Sequence, residues 1–142
     1  MILLDTNVIS EIMRERPSRA VTAWLDARPD NEFWTASIVI AELLAGVESM
    51  STGRKQKALR EAVEKLILND FRGRILTFNL AAARLYAQIL AQRQRQGRPI
   101  RELDAQIAAI ARAHGASLAT RDVDDFAACN LDVVNPWEAS SR

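Results

Sequence analysis

The chain has 142 residues, of which 49% are hydrophobic and 26% are charged, so a disordered chain is excluded and one globular domain is expected. Its formal net charge of +1 gives no overall attraction for nucleic acid. One cysteine and one histidine are too few for a disulfide or a Cys/His zinc site within one chain, so any metal would be held by oxygen ligands.

Short apolar segments alternate with helical patterns along the chain. In chain order, the predicted strands are residues 1–4, 32–36, 74–78, 116–120 and 131–134. Between the strands, apolar residues recur at helical spacing, and glycines fall where the helices are expected to end. Strands that alternate with helices in this way predict an α/β fold around a parallel sheet.

Four acidic residues occupy positions that the pattern alone would give to apolar or small residues. Asp5 follows the first predicted strand, and Asp122 follows the fourth. Glu42 and Asp104 are the only ionisable residues in residues 37–47 and 103–111, respectively. The segment around Glu42 is apolar on all sides, which predicts a buried helix.

A buried carboxylate is costly unless it finds a cation or takes up a proton. The apolar segments that carry Asp5, Glu42 and Asp104 contain no lysine or arginine, and only Arg121 stands beside Asp122. The C-terminal ends of the strands in an open α/β sheet meet at one crevice. We therefore expect the four acids to converge there on Mg²⁺ or Mn²⁺, which prefer carboxylate and water ligands.

Simpler roles are open for three of these acids when each is taken alone. Asp5 and Asp122 are placed to cap helices, and Asp104 lies near a helix start, where an acid favours the macrodipole. Glu42 lies in the middle of a helix and has no such role. Together, the four acids favour a shared acidic site.

A basic segment precedes Asp104. Residues 92–101 contain four arginines and no acid. Arg98 and Arg101 are predicted to hold phosphate groups near the acids. Arg93 and Arg95 are interpreted as the solvated end of a helix. Trp137, like the other large aromatic residues, is interpreted as a core or interface residue.

Four motifs, LLDTNVIS, SIVIAELLAG, LDAQIAAIA and LATRDVDDF, resemble in order and spacing the four acidic motifs of PIN-domain ribonucleases. Together with GRILTF and NPW, they are most similar to the VapC-type toxins of bacterial toxin–antitoxin pairs, in particular the FitB-like branch. The resemblance implies a PIN-like three-layer α/β fold, in which helices flank a central, mostly parallel sheet of five strands.

The resemblance also implies roles for individual residues. The metal-site acids of the family map onto Asp5, Glu42, Asp104 and Asp122. Residues that support such a site map onto Asn7 and Thr120, and Asp125 adds a further acid near the fourth motif. RNA contacts are expected at Arg98, Arg101 and Arg121.

The activity implied by the resemblance is Mg²⁺- or Mn²⁺-dependent hydrolysis of RNA, often tRNA or rRNA. The family further implies a homodimer that assembles with, and is inhibited by, a cognate VapB- or FitA-like antitoxin. DNA would be bound only through that antitoxin.

Two other functions are compatible with parts of the sequence. An aspartyl-phosphate phosphatase also begins with a strand that ends in Asp, but it usually has an acid where Asn7 stands and a suitably placed lysine. A non-catalytic interaction module with an acidic pocket would account for the fold but not for Glu42 within an apolar helix.

The cellular location is also an expectation from the sequence. No apolar stretch is long enough to span a membrane, and the apolar start lacks the basic leader of a signal peptide. With the single Cys129, these features favour a reducing cytoplasm and no membrane contact. We expect one domain over residues 1–142, with a loose tail from about residue 138.

Overall fold

A computed structural model describes residues 1–139. Its five strands form one sheet in the order β3-β2-β1-β4-β5, and every pairing is parallel. All five predicted strands are confirmed, and their ends differ from the prediction by at most two residues. The strands are β1 (Ile2–Leu4), β2 (Phe33–Ala36), β3 (Ile75–Leu76), β4 (Ser117–Ala119) and β5 (Val133–Val134).

Six α-helices connect these strands within residues 1–139. Asn79 begins the fifth helix by accepting a hydrogen bond from the Ala82 backbone N–H at 2.9 Å, and Gly97 and Gly115 follow the fifth and sixth helices with positive φ. The helices are α1 (Thr6–Ile12), α2 (Arg19–Asp26), α3 (Ser37–Glu48), α4 (Arg54–Lys65), α5 (Leu80–Arg95) and α6 (Glu102–Ala113). A π-helical turn, Leu66–Asp70, extends α4, and two 3₁₀ helices span Asp30–Glu32 and Val123–Phe126.

The central strands are covered on both faces. Successive side chains of a strand point to opposite faces, and both Leu3 and Leu4 of β1 are fully buried, as are Leu118 and Ala119 of β4. Such burial on both faces is typical of a parallel sheet between helices. The α/β fold predicted from the sequence is thus confirmed, and the sheet is parallel throughout.

The prediction that the helix around Glu42 is buried on all sides is wrong. Val39 and Val47 of α3 are fully buried, but Ala45 and Gly46 are exposed and Glu42 is half-buried. Alanine and glycine carry little apolar surface, so their exposure costs little hydrophobic free energy. An apolar run that contains such small residues therefore does not fix which face of a helix is covered.

The C-terminal segment begins with a turn after β5. The backbone N–H groups of Glu138 and Ala139 both donate to the carbonyl oxygen of Asn135, at 3.1 and 2.9 Å. The rest of the predicted tail, residues 140–142, lies outside the described residues. Among residues 1–139, none of the helices is both long and apolar enough to cross a bilayer.

Candidate active site

The ends of β1 and β4 define the candidate site. These two strands are neighbours at the centre of the sheet. Strands β2 and β3 follow on the β1 side, and strand β5 follows on the β4 side, so the order of the strands reverses direction between β1 and β4. Ligands of open α/β sheets bind at such a switch point, beyond the C-terminal strand ends. A cleft of about 500 Å³ opens there, and its walls include Asp5, Glu42, Asp104, Asp122 and Asp125.

Asp5 lies at the base of this cleft and is only 5% exposed. Its Oδ1 accepts a hydrogen bond from the Thr6 backbone N–H at 2.8 Å, so it caps α1, and its Oδ2 accepts from the Thr120 hydroxyl at 2.7 Å. Burial raises the pKa of Asp5, although these two hydrogen bonds lower it in part. The charges of Glu42 and Asp122 raise its pKa further. The Asp5 carboxylate therefore both caps α1 and lines the cleft.

Thr120 connects the first acid to the fourth. Besides donating to Asp5, its hydroxyl oxygen accepts from the Asp122 backbone N–H at 3.1 Å and from Asn7 Nδ2 at 3.3 Å. Asn7 Nδ2 also donates to Asp122 Oδ2 at 3.0 Å. The Asp122 side chain makes no capping hydrogen bond to the 3₁₀ helix that follows it, so the capping interpretation of Asp122 is wrong. Its carboxylate is instead held toward the first acid.

Glu42 is connected to the Asp5 side of the cleft by a hydrogen bond to α1. Its Oε1 accepts a hydrogen bond from the Thr6 hydroxyl at 2.8 Å. Sequence reasoning missed Thr6, although it follows Asp5 directly, because its partner is 36 residues away and is set by the packing of α1 against α3.

Asp104 faces the cleft from the first turn of α6, where the helix dipole also favours an acid. Its Oδ2 lies 3.6 Å from Nε of Arg101. Burial raises the pKa of Asp104, and Arg101 lowers it in part. The charges of Asp5, Asp125 and Asp122 raise the pKa further, so these carboxylates repel one another.

Three arginines line the cleft: Arg14, Arg101 and Arg121. Arg98, predicted to contact RNA, is exposed but is not one of the lining residues. Sequence reasoning missed Arg14 and the buried Glu11, which pairs with it at 3.4 Å. The spacing of Glu11 from Asn7 was a signal for Glu11, since positions 7 and 11 fall on one face of α1, whereas Arg14 lies beyond the end of that helix and had no such signal.

The interpretation of Arg93 as a solvated helix end is wrong, because its side chain is only 4% exposed. Its Nε donates to the carbonyl oxygen of Arg98 at 2.6 Å, and its NH1 donates to those of Asp125 and Ala127 at 2.9 and 2.8 Å. Arg93 therefore ties the loop before α6 to the segment that carries Asp125. These carbonyl groups lie up to 34 residues away, so local periodicity gave no sign of them.

We expect Arg93→Met to lower the free energy of unfolding by about 2–4 kcal/mol, because it removes a buried cation that donates three hydrogen bonds to part-buried carbonyl groups. Arg95→Met removes the same charge from an exposed position of the same helix and should change stability by less than about 0.5 kcal/mol. Urea unfolding of both variants measures the difference. Equal stabilities would show that the Arg93 hydrogen bonds contribute nothing beyond those of a surface arginine.

Thr120→Val should slow the RNA cleavage that the family resemblance implies roughly 10–100-fold while the protein stays folded, because the Asp5 carboxylate loses its 2.7 Å donor and the Asp122 backbone N–H loses its acceptor. The matched control is Thr35→Val, which removes a fully buried hydroxyl on β2 that donates only to the Leu4 carbonyl oxygen. Initial rates of RNA cleavage, together with unfolding curves, compare the two variants. Equal loss of activity in both would contradict a specific role for Thr120.

The donor set at this site consists of carboxylate oxygens that lack enough counter-charge. Within residues 1–139, no group of three or more His, Cys, Asp or Glu side chains lies close enough to hold one ion jointly. Mg²⁺ is usually bound through one or two carboxylates and keeps several of its waters, so these residues fit a hydrated divalent cation. Besides burial, the charges of Glu42 and Asp122 raise the pKa of Asp5, and that of Asp5 raises the pKa of Asp104. This repulsion agrees with a site suited to a cation.

Comparison with known proteins identifies the family. A model of the PIN domain matches residues 2–130. This chain belongs to the PIN-domain family. The PIN-domain resemblance is thereby confirmed, and the similar proteins described next confirm the α/β fold and the VapC/FitB branch. PIN-domain VapC nucleases are metal-dependent.

Similar proteins cover nearly the whole of this PIN-domain chain. The VapC ribonuclease Y4jK of Sinorhizobium fredii is 44% identical over 97% of this chain and 99% of its own length. Toxin FitB of Neisseria gonorrhoeae is 44% identical over 96% of this chain and 99% of its own length. A solved structure of FitAB bound to an IR36 DNA fragment contains a chain that is 42% identical, with a TM-score of 0.90 and coverage of 98% and 97% of the two chains.

Proposed function

We propose that this PIN-domain protein is a metal-dependent endoribonuclease that hydrolyses RNA phosphodiester bonds with water, as the toxin of a bacterial toxin–antitoxin pair. One observation carries the proposal: Asp5, Glu42, Asp104 and Asp122 line one cleft at the ends of β1 and β4. Similarity to proteins named VapC ribonuclease and Toxin FitB supports it.

The four acids would hold Mg²⁺ or Mn²⁺ directly or through water. Such an ion supplies a Lewis acid for phosphate oxygens and a source of hydroxide near neutral pH. Asp5 is oriented for this role by Thr6 and Thr120, and Glu42 is oriented by the Thr6 hydroxyl. Fixed orientation of the carboxylates lowers the reorganisation that the reaction requires.

Arginines at the cleft would bind the substrate. Arg101 and Arg121 are exposed beside the acids and would contact RNA phosphates, with Arg98 further out along the approach. Phosphate contacts of this kind position the substrate without reading its sequence. The RNA class expected from the family, tRNA or rRNA, agrees with a protein that acts in the cytoplasm.

The partner we propose is a small VapB- or FitA-like antitoxin. A similar chain was solved in a FitAB complex bound to a DNA fragment, which supports assembly with an antitoxin. The homodimer, and DNA contact only through the antitoxin, are parts of this proposal that the family resemblance implies. An antitoxin side chain that presents a cation to the acids would neutralise them and inhibit cleavage. Co-expression with an adjacent small gene should yield an inactive complex, and separate elution of the two proteins would contradict this assembly.

Purified protein tests the activity directly. It should cleave RNA from total tRNA or rRNA preparations in Mg²⁺ or Mn²⁺ and stop when EDTA is added. Release of phosphate from a phosphomonoester without RNA cleavage would favour the phosphatase. Two observations oppose the phosphatase. Asn7, an amide, stands where a phosphatase usually has its second acid, and no lysine is among the residues within 1–139 that line the cleft. Absence of both activities would favour an interaction module.

A further inference from the structure

Arg121 and Trp137 form a pair at the edge of the acidic cleft. The guanidinium carbon of Arg121 lies 5.0 Å from the centroid of the Trp137 ring, within the range of a cation–π contact. Both residues line the cleft together with the acids. Arg121 follows β4, and Trp137 lies in the turn after the neighbouring strand β5, so adjacent strand ends build the pair.

The backbone of both residues is anchored. The Arg121 N–H donates to Asn7 Oδ1 at 3.2 Å, and the Trp137 N–H donates to Asn135 Oδ1 at 2.9 Å. Trp137 is half-buried, because part of its ring packs against the hydrophobic core. The interpretation of Trp137 as a core residue therefore describes only one side of the ring, since the ring also borders the cleft.

Charge pairing distinguishes Arg121 from the other arginines of the cleft. Arg14 pairs with Glu11 at 3.4 Å, and Arg101 pairs with Asp104 at 3.6 Å. Within residues 1–139, the exposed Arg121 guanidinium has no carboxylate within ion-pair distance, although Asp122 is its neighbour in sequence. It therefore stays available for an anion from outside the chain.

We propose that Arg121 and Trp137 form a nucleotide subsite, in which the guanidinium binds an RNA phosphate and a base stacks on the exposed part of the indole. This inference rests on the proposed ribonuclease function and names two residues, outside the four acids, that would position the RNA. A base within a duplex is covered by its neighbours, and only an unstacked base exposes a face to an aromatic side chain. Arginine is suited to both contacts, because its planar group stacks on rings and also pairs with phosphate.

Tryptophan fluorescence tests the stacking contact. The measurement uses Glu42→Gln protein, which should cleave RNA too slowly to consume the probe, with a short single-stranded RNA of mixed sequence as the probe. Single-stranded RNA should quench the fluorescence, and the same RNA annealed to its complement should quench it much less. Adding Trp137→Phe should remove the quenching, because the remaining tryptophans, Trp24 and Trp34, do not line the cleft. Quenching that persists undiminished in the Phe variant would overturn the subsite.

Steady-state cleavage tests its effect on the reaction. Trp137→Ala should raise KM for single-stranded RNA roughly tenfold with little change in kcat, and Trp137→Phe should retain most of the affinity. Arg121→Ala should also raise KM, whereas Arg95→Ala, which removes an exposed arginine outside the cleft, should not. If the Trp137→Ala chain fails to fold, the Phe variant and Arg121→Ala still decide the question.

The outcomes separate the subsite from the proposed function. Wild-type protein that cleaves no RNA would contradict the ribonuclease, and fluorescence would still report whether RNA reaches Trp137. Wild-type protein that cleaves RNA, with unchanged KM in the Trp137 and Arg121 variants, would contradict the subsite alone. Equal cleavage of single-stranded and fully duplex RNA would likewise overturn it.

Discussion

Glu42→Gln protein is expected to cleave RNA at least about 100-fold more slowly than the wild type, which corresponds to about 2.7 kcal/mol of activation free energy. Glutamine nearly preserves the shape of the side chain, and it still offers an oxygen to the Thr6 hydroxyl that now donates at 2.8 Å. It removes the negative charge that would help to hold the cation. Initial rates in Mg²⁺ or Mn²⁺ give the effect directly.

The control for this substitution is Glu48→Gln in the same helix. Glu48 is 71% exposed at the end of α3 and pairs with Arg60 at 3.0 Å, which is a surface ion pair of small energetic value. This variant should cleave at the wild-type rate and undergoes the same purification, so it also controls for host nuclease. Equal rates in the two variants would refute a metal-site role for Glu42.

Asp104→Asn is expected to stabilise the metal-free protein at neutral pH by about 1–2 kcal/mol, although catalysis is lost. Burial is the main cause of the raised pKa of Asp104, and the carboxylates of Asp5, Asp125 and Asp122 raise it further against the lowering effect of Arg101. Removing the charge therefore relieves both the cost of its burial and the repulsion in the cleft. Excess divalent metal should stabilise the wild type by about 2.7 kcal/mol at a hundredfold excess over Kd, and the Asn variant much less.

The pH dependence of this effect has a defined sign. The folded-state pKa of Asp104 is raised above its usual value of 3.8, so the group favours folding at low pH and this contribution is lost as the pH rises through the folded pKa. Asparagine does not titrate. The advantage of Asp104→Asn should therefore be present at neutral pH and should disappear as the pH falls toward 3.8.

Asp132→Asn provides the matched control for Asp104→Asn. Asp132 is exposed beside β5 and does not line the cleft, so its substitution should change neither stability nor the response to metal appreciably. Thermal unfolding of all three proteins, in EDTA and in excess Mn²⁺, measures both effects. A destabilised Asp104→Asn protein with a full metal response would indicate that Asp104 only favours the dipole of α6.

The sequence predicted the fold and the place of the acids because both follow from strong local patterns. Each strand is a short apolar run, and parallel strands direct their C-terminal ends to one edge, so Asp5 and Asp122 were expected to meet there. The resemblance to known motifs added Asn7 and Thr120, which the structure places between the two acids. The direct ligands of the cation stay a prediction.

The remaining features depend on partners that are distant in the chain. Arg93 is buried against carbonyl groups up to 34 residues away. Its position near the end of a helix predicted an exposed side chain, because those partners are not visible in the local sequence. Trp137 borders the cleft only because β5 lies beside β4, and hydropathy does not encode that adjacency. The exposed face of α3 was not predicted, because alanine and glycine count as apolar in the sequence. Their exposure nevertheless costs little hydrophobic free energy.

Cleavage in ¹⁸O-labelled water tests most directly whether the acidic cleft hydrolyses RNA. The wild type should produce new phosphate ends that carry one labelled oxygen and no cyclic phosphate, because water attacks the phosphodiester. Asp5→Asn protein should produce almost none of these ends, since Asp5 is the buried carboxylate at the base of the cleft. Unlabelled cyclic phosphate ends, or labelled ends formed equally fast by Asp5→Asn protein, would contradict water-mediated hydrolysis at this site.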